Sequence, residues 1–217
     1  MKIIESKKSR IWFCSDSHYR HSNICSATSN WPEGSKTRDF PSLEDMDDAI
    51  VESINSRVGE SDVLFHLGDW AFGGFEAVKE FRDRINCKNI YLILGNHDHH
   101  IDRDKEGIRS LFKHVSKYEY ITITREADKG EKSVKIRMVL CHFPIASWHD
   151  MNQGVIHLHG HVHFSPEEKL GPGKIMDVGF DGSEEFRPYS LDEILDIMRD
   201  RPVSSLFNND HHLEEVR

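Results

Sequence analysis

Asn89-Ile-Tyr-Leu-Ile-Leu-Gly-Asn-His-Asp-His-His100 is the stretch on which the reading of this chain turns. Ile90 to Leu94 are mostly apolar and rich in large and β-branched types, which predicts a buried strand, and Gly95 permits the turn that ends it. Polar chemistry then begins abruptly: Asn96 offers an amide oxygen, His97 an imidazole and Asp98 a carboxylate. All three leave the carboxyl end of a strand, where open α/β sheets place their ligands. Gly, Asn and Asp also favour ordinary turns, so this stretch alone leaves a site and a plain turn both open.

Upstream, Arg10 to Cys14 reads as a first strand that opens onto Ser15-Asp16-Ser17-His18. Residues two apart in an extended segment point the same way, so Asp16 and His18 could chelate one ion; the alternative is a capping Asp16 and a solvated His18. Tyr19 to Pro41 has little periodicity and predicts a long ordered loop, a length that usually carries function. Tyr19, Arg20 and His21 directly follow His18, with Asn23 soon after, and are candidates for the rim of a substrate pocket, Arg20 as a grip on a phosphate oxygen or other anionic group; the alternative is an exposed polar loop. Ser42 to Val58 predicts a helix capped by Ser42, with Leu43, Met46, Ala49, Ile50 and Ile54 on one face. Asp62 to Leu67 is a second strand ending in Gly68-Asp69-Trp70, and Phe75 to Ile85 a second amphipathic helix. Strand, helix, strand, helix, strand implies a parallel sheet core. Arg103 to Val115 predicts a third helix.

The pattern then changes. Tyr118 to Thr124 and Val134 to Leu140 are β-rich runs around a polar segment ending in Lys129-Gly130, which predicts a hairpin, and the second run delivers His142. Val155 to Leu158 is a short strand carrying into His159-Gly160-His161-Val162-His163, and Lys174 to Val178 is one more. Alternation along the first of these gives His159 a supporting or structural role. Ser190-Leu191-Asp192-Glu193 has capping-box spacing and starts a last helix to about Arg199, after which residues 202–217 are expected to form a flexible tail.

A chain of 217 residues with 37% hydrophobic content predicts a single domain over 1–217. No segment approaches the roughly 18 consecutive apolar residues of a membrane span, and Met1 to Arg10 lacks a signal-peptide core, so a cytoplasmic location without membrane partners is expected. Cys14, Cys25, Cys87 and Cys141 form no Cys-x-x-Cys pair and are expected as buried free thiols. A formal charge of -9 argues against the broad basic face that long duplex nucleic acid requires, although bound divalent cations reverse the sign locally.

Five strand ends therefore deliver metal-competent or proton-transfer groups: Asp16 with His18, Asp69, Asn96 with His97, His142, and His161 with His163. Imidazole, carboxylate and amide donors without thiolate suit Mn, Fe, Zn or Ni, with Mn favoured, better than Ca or a structural zinc. The donors are too many for one tetrahedral ion. Two ions sharing a bridging carboxylate would use them all, and metals about 3.5 to 4 Å apart are the usual machinery of phosphoryl displacement.

In this order Asp-x-His, Gly-Asp, Gly-Asn-His-Asp, a lone His and Gly-His-x-His resemble the signature of calcineurin-like metallophosphoesterases, over most of the chain. The phrases SDSHYRHSNI, VLFHLGDWAFG, LILGNHD and LHGHVH are similar to small bacterial and phage members. The resemblance implies an α/β (α+β) fold, a four-layer sandwich of two mixed β-sheets flanked by helices. It also implies a division of ligands: Asp16, His18 and His163 on one ion, Asn96, His142 and His161 on the other, and Asp69 on both. His97 would be the family's non-ligand histidine that protonates the leaving group or stabilises the transition state; as its neighbour, Asp98 could hold the ring in orientation and raise its basicity.

Three functions compete: a phosphodiesterase or related phosphohydrolase acting through water activated between two metals on a nucleotide or other small phosphodiester; a nuclease on single-stranded nucleic acid; and a binding scaffold whose metal site has decayed. Scaffolds lose ligands, and here every expected position is filled. Family phosphatases that continue Gly-Asp into Asp-Arg-Gly use the arginine on phosphate; here Trp70-Ala71-Phe72 follows instead, which favours diesters over monoesters. Trp70, Trp31 and Trp148 are candidate flat walls for a nucleobase, with core packing as the alternative for each.

Overall fold

The computed structural model describes residues 1–126 and 133–203; the expected Lys129-Gly130 turn and the tail from 204 onward lie outside the described residues. Strands β1 (Lys2–Glu5), β2 (Ile11–Cys14), β3 (Val63–His66), β4 (Asn89–Ile93) and β5 (His114–Ser116) come with helices α1 (Leu43–Arg57), α2 (Gly74–Arg84) and α3 (His99–Asp102). They are followed by β6 (Tyr118–Arg125), β7 (Val134–Cys141), β8 (Ile156–His159), β9 (Ile175–Asp177), β10 (Tyr189–Ser190) and α4 (Leu191–Met198).

Two mixed sheets result. One runs β10-β2-β3-β4-β5, parallel except for β10, and the other runs β1-β6-β7-β8-β9, with β6 and β7 as an antiparallel pair in full register from Tyr118–Cys141 to Arg125–Val134. Every residue of β2 is buried, as expected of a strand covered on both faces. Trp12 and Cys14 face α1 and α2, among Met46, Ile50, Ile54, Val78 and Phe81. Ile11 and Phe13 face the other way into the core between the sheets, against Ile121, Met138, Leu158 and Met176. The outer face of the second sheet is covered by Trp148 and Met151. Two mixed sheets stacked with flanking helices are therefore the architecture of this chain.

The local reasons follow the sequence closely. Ser42 Oγ accepts from Asp45 N at 3.0 Å and starts α1, whose Met46, Ile50 and Ile54 are fully buried at four-residue spacing. Ser190 and Glu193 form the reciprocal capping box of α4. All four cysteines are free thiols, three of them buried. Among the described residues no helix is long and apolar enough to cross a membrane.

The expected helix over Arg103 to Val115 is not formed. Asp104, Glu106 and Gly107 take left-handed backbone with φ of 48°, 60° and 70°, which breaks the segment into α3 and a kinked 3₁₀ stretch, Lys105–Leu111. The chain then extends as β5 to pair with Tyr91–Ile93 at the sheet edge. Strands β1, β5 and β10 are too short for their periodicity to be read in advance.

Trp70 is not a pocket wall. Its indole is fully buried among Phe81 and Phe112, with ring centroids at 4.4 Å and 5.1 Å, and Nε1 donates to Val78 O at 3.3 Å. It is part of the core beneath α2 and presents no face to a substrate. Trp148 is likewise buried, donating to Val155 O at 2.8 Å, whereas Trp31 remains 41% exposed. Replacing Trp70 by Ala should lower unfolding stability by about 3 to 5 kcal/mol, the cost of deleting a large buried aromatic. Urea denaturation of the chelator-treated protein measures this; a loss below about 1 kcal/mol would place the ring outside the core.

Candidate metal centre

The carboxyl ends of β2, β3 and β4 point the same way because the three strands are parallel, and β7 and β8 are parallel in the other sheet. The loops leaving these ends meet and are tied together by backbone bonds: Asp16 N to Gly68 O at 2.9 Å, His18 N to Asp69 O at 3.0 Å and Gly160 N to His142 O at 2.9 Å. Along this seam the structure brings together all seven residues expected as ligands, Asp16, His18, Asp69, Asn96, His142, His161 and His163.

Asp69 lies in the middle. Its Oδ2 is 3.6 Å from His18 Nε2 on one side and 3.5 Å from His142 Nε2 on the other. Asp16 Oδ1 stands 3.8 Å from His18 Nε2 and 3.7 Å from His163 Nε2, and those two nitrogens are 3.0 Å apart. Asn96 Oδ1 completes the other side, 3.0 Å from His142 Nε2 and 2.9 Å from His161 Nδ1. Two groups, Asp16 with His18 and His163, and Asp16 with Asp69 and His142, each keep one donor atom per residue within 4.8 Å of the others.

Three observations fit a pair of divalent cations here. First, the buried carboxylates of Asp16 and Asp69 face imidazoles and backbone N–H groups rather than lysine or arginine. Burial pushes the Asp16 carboxyl up to about 7 even against the opposing charges of His163 and His142, so the chain alone leaves this negative charge poorly compensated. Second, burial and then the Arg38 charge hold His18 well below its ordinary value, and burial with His142 lowers His161, which keeps both rings in the neutral, metal-binding form. Third, the outward nitrogens are chosen by their partners. Leu67 O can only accept, so His142 Nδ1, at 2.7 Å, carries the proton and Nε2 faces the seam.

The backbone is strained where these side chains are aimed. Asp16, His18, Asp69, His161 and His163 all have left-handed φ, between 48° and 74°, a conformation sparsely populated for residues other than glycine. Such positions cost on the order of 1 kcal/mol or more each and cluster at functional sites. Close approach also demands glycine. A Cβ on Gly95 would lie 2.2 Å from Asp69 Oδ1, and one on Gly160 would lie 2.3 Å from Asp16 Oδ2.

Asp98 does not orient the His97 ring. It is buried, and its Oδ2 accepts from Asp69 N and Gly95 N, both at 2.8 Å, while Oδ1 accepts from Trp70 N at 2.9 Å. Three backbone donors from two loops use its acceptors, so Asp98 positions Asp69 instead. His97 sits at the outer edge, its side chain 41% exposed and Nε2 4.0 Å from Asp69 Oδ2, and its backbone N donates to Asp69 Oδ1 at 2.9 Å. Arg20 also departs from its expected role. Its guanidinium donates to Glu80 at 2.6 Å and lies 3.7 Å from Asp47, so two carboxylates from other parts of the chain hold it away from the seam. His21 Nδ1 lies 3.3 Å from His18 Nδ1, whereas Tyr19 is fully buried with its ring stacked on Phe81 and forms no rim.

Arg38 and Asp181 were missed. The buried Arg38 guanidinium grips Asp181 at 2.9 Å and 2.8 Å and donates to Ser17 O at 2.9 Å and Asp16 O at 2.6 Å. Asp181 Oδ2 in turn stands 2.7 Å from His163 Nδ1, leaving Nε2 to face Asp16 and His18. Burial opposes both ionised forms, yet Arg38 holds the Asp181 carboxyl well below the usual range, and the Asp181 bond raises His163. Asp181 closes the segment after β9, a sixth strand end with a carboxylate on offer; Arg38 lies in an aperiodic loop and gave no signal. His159 is buried, its Nδ1 bonded to Gly160 O at 2.9 Å, in the supporting place expected of it.

Two stacked mixed sheets with paired ligand groups on their shared carboxyl edge are the architecture of a dinuclear metallohydrolase. A family profile described as calcineurin-like phosphoesterase matches residues 9–212, and the chain belongs to that family, whose chemistry is metal-dependent hydrolysis of phosphoesters and whose members typically bind two divalent ions. It is 29% identical over 210 residues to the Gene 66 protein of Mycobacterium phage D29, covering 88% of this chain and 97% of that one. To the Gene 66 protein of Mycobacterium phage L5 it is 28% identical over 175 residues, covering 71% and 78%. These relatives fit a small phage-type subgroup. The crystal structure of a protein of unknown function from Aquifex aeolicus shares the fold, with a TM-score of 0.59 and 22% identity over 87% of this chain and 99% of that one.

Asp69→Ala should lose both ions, since it removes the carboxylate that lies between the two groups. His97→Ala should keep both and lose about 10²-fold or more in kcat, the usual scale of a general acid. Elemental analysis after loading with Mn separates the two; equal metal loss in both variants would contradict this division of roles.

Proposed function

We propose that this chain is a two-metal phosphodiesterase acting on a nucleotide or other small phosphodiester. The observation that carries the reading is the Asp69-centred cluster with His97 exposed at its outer edge. Two divalent ions in such a set supply activation of a water as nucleophile and neutralisation of phosphate oxygens, for which Mn suits the donors. The chain's own residues do the rest. Asp98 fixes the Asp69 backbone and the His97 N–H its carboxylate, Leu67 O and Asp181 fix which nitrogens of His142 and His163 face inward, and His97 would give a proton to the departing oxygen.

The preference for diesters is supported by the state of the nearby cations. Arg20 is matched by Glu80 and Asp47, and Arg38 is buried against Asp181. Neither offers a free guanidinium to the additional negative charge that a monoester carries near neutral pH, whereas a diester brings a single charge. With Mn, kcat/KM should be clearly higher for bis-p-nitrophenyl phosphate than for p-nitrophenyl phosphate. A clear preference for the monoester would sink the diester reading and imply that Arg20 leaves its carboxylates when substrate binds.

A further inference from the structure

An aromatic row leads away from the outer edge of the centre. The Phe72 ring lies 4.7 Å from that of His97, the His21 ring stacks on Phe72 at 3.6 Å and 6°, and Trp31 meets His21 edge-on at 5.7 Å. At its far end Trp31 is the exposed tryptophan; Trp12, Trp70 and Trp148 are all buried. Trp31 also forms a wall of a cavity of about 370 Å³ that reaches back to His163, with Ile24 as a second apolar wall and Lys36, Thr37 and Ser165 as polar ones. That volume falls within the roughly 300 to 1,000 Å³ of small-molecule pockets, and the Arg38-Asp181 pair completes the polar side of the lining. Lys36 is only loosely engaged, its Nζ 3.7 Å from Glu168 with both side chains largely exposed.

We propose that the Trp31 cavity is the subsite for one organic arm of the phosphodiester, and that this arm is a nucleoside whose base stacks on the Trp31 indole. The inference rests on the phosphodiesterase reading and narrows it. A flat, mostly apolar wall beside an aromatic row selects a planar ring over an alkyl or sugar group, because stacking is available to every base. Thr37 and Ser165 offer hydroxyls to the heteroatoms of that ring, and the exposed ammonium of Lys36 suits a group that carries a further phosphate. The loop between β2 and α1 thus has two duties: Arg38 anchors it to the metal ligands, and Trp31 turns outward to the substrate.

Two esters with the same leaving group test this, thymidine 5′-p-nitrophenyl phosphate and methyl p-nitrophenyl phosphate. In each, water adds to phosphorus, the bond to the p-nitrophenyl oxygen breaks, and p-nitrophenol leaves with thymidine 5′-monophosphate or methyl phosphate as the other product. The wild type should favour the thymidine ester in kcat/KM, and Trp31→Ala should remove about 10-fold or more of that preference, the scale of stacking on one base. Trp31→Phe should keep most of it. Independently of turnover, thymidine 5′-monophosphate should quench the Trp31 emission of the Mn-loaded protein, while 2-deoxyribose 5-phosphate should not. Equal effects of Trp31→Ala on both esters, or no quenching by the nucleotide, would overturn the subsite and leave the phosphodiesterase reading standing. If the wild type hydrolyses neither ester, that reading fails, and the quenching still decides whether Trp31 holds a base.

Discussion

The structure depends on one buried carboxylate. Asp69 Oδ2 lies 3.6 Å from His18 Nε2 and 3.5 Å from His142 Nε2, residues carried by different sheets. Burying a carboxylate without a cationic partner is expensive, and burial beside the neutral His18 ring does little to offset it. The Asp16, Asp69, His18 and His142 donors would hold divalent cations, whose charge would offset that penalty. The strained backbone at Asp16, His18, Asp69, His161 and His163 is then understandable as the geometry that holds donors in place before any ion arrives.

What keeps the seam in register lies one layer out. Asp98 joins the loops after β3 and β4 by accepting from Asp69, Trp70 and Gly95. The Arg38-Asp181 pair joins the loop after β2 to His163 after β8. The sequence points Asp98 at His97 and gives no role to Arg38 or Asp181, yet all three hold other residues still. Supports of this kind commonly change metal affinity when removed, although they never touch the ion.

The strand ends were legible because each is a sharp local change, from a short apolar run to a polar metal donor, and their order along the chain carried the family resemblance. The helices α1 and α4 were legible from their caps and α2 from its amphipathic pattern. What was hidden depends on distant partners. Trp70 follows Gly68-Asp69 and reads as a pocket wall, but Phe81 on α2 and Phe112 enclose it. Arg20 reads as a phosphate grip until Glu80, 60 residues away, takes its guanidinium. Asp98 reads as an orienter of its neighbour His97, yet its acceptors go to N–H groups 28 and 29 residues back. The helix over Arg103 to Val115 fails because residues 114–116 are needed to finish the edge of a sheet, a demand that periodicity does not carry.

Asp69, between the two donor groups, would be the ligand that two ions share. The most direct measurement is electron paramagnetic resonance of protein loaded with two Mn per chain. Ions sharing the Asp69 carboxylate are close enough for their spins to couple, giving an exchange-coupled spectrum that Asp69→Asn abolishes. Two equivalents of Mn that bind tightly yet show only the hyperfine pattern of isolated ions would contradict the bridge.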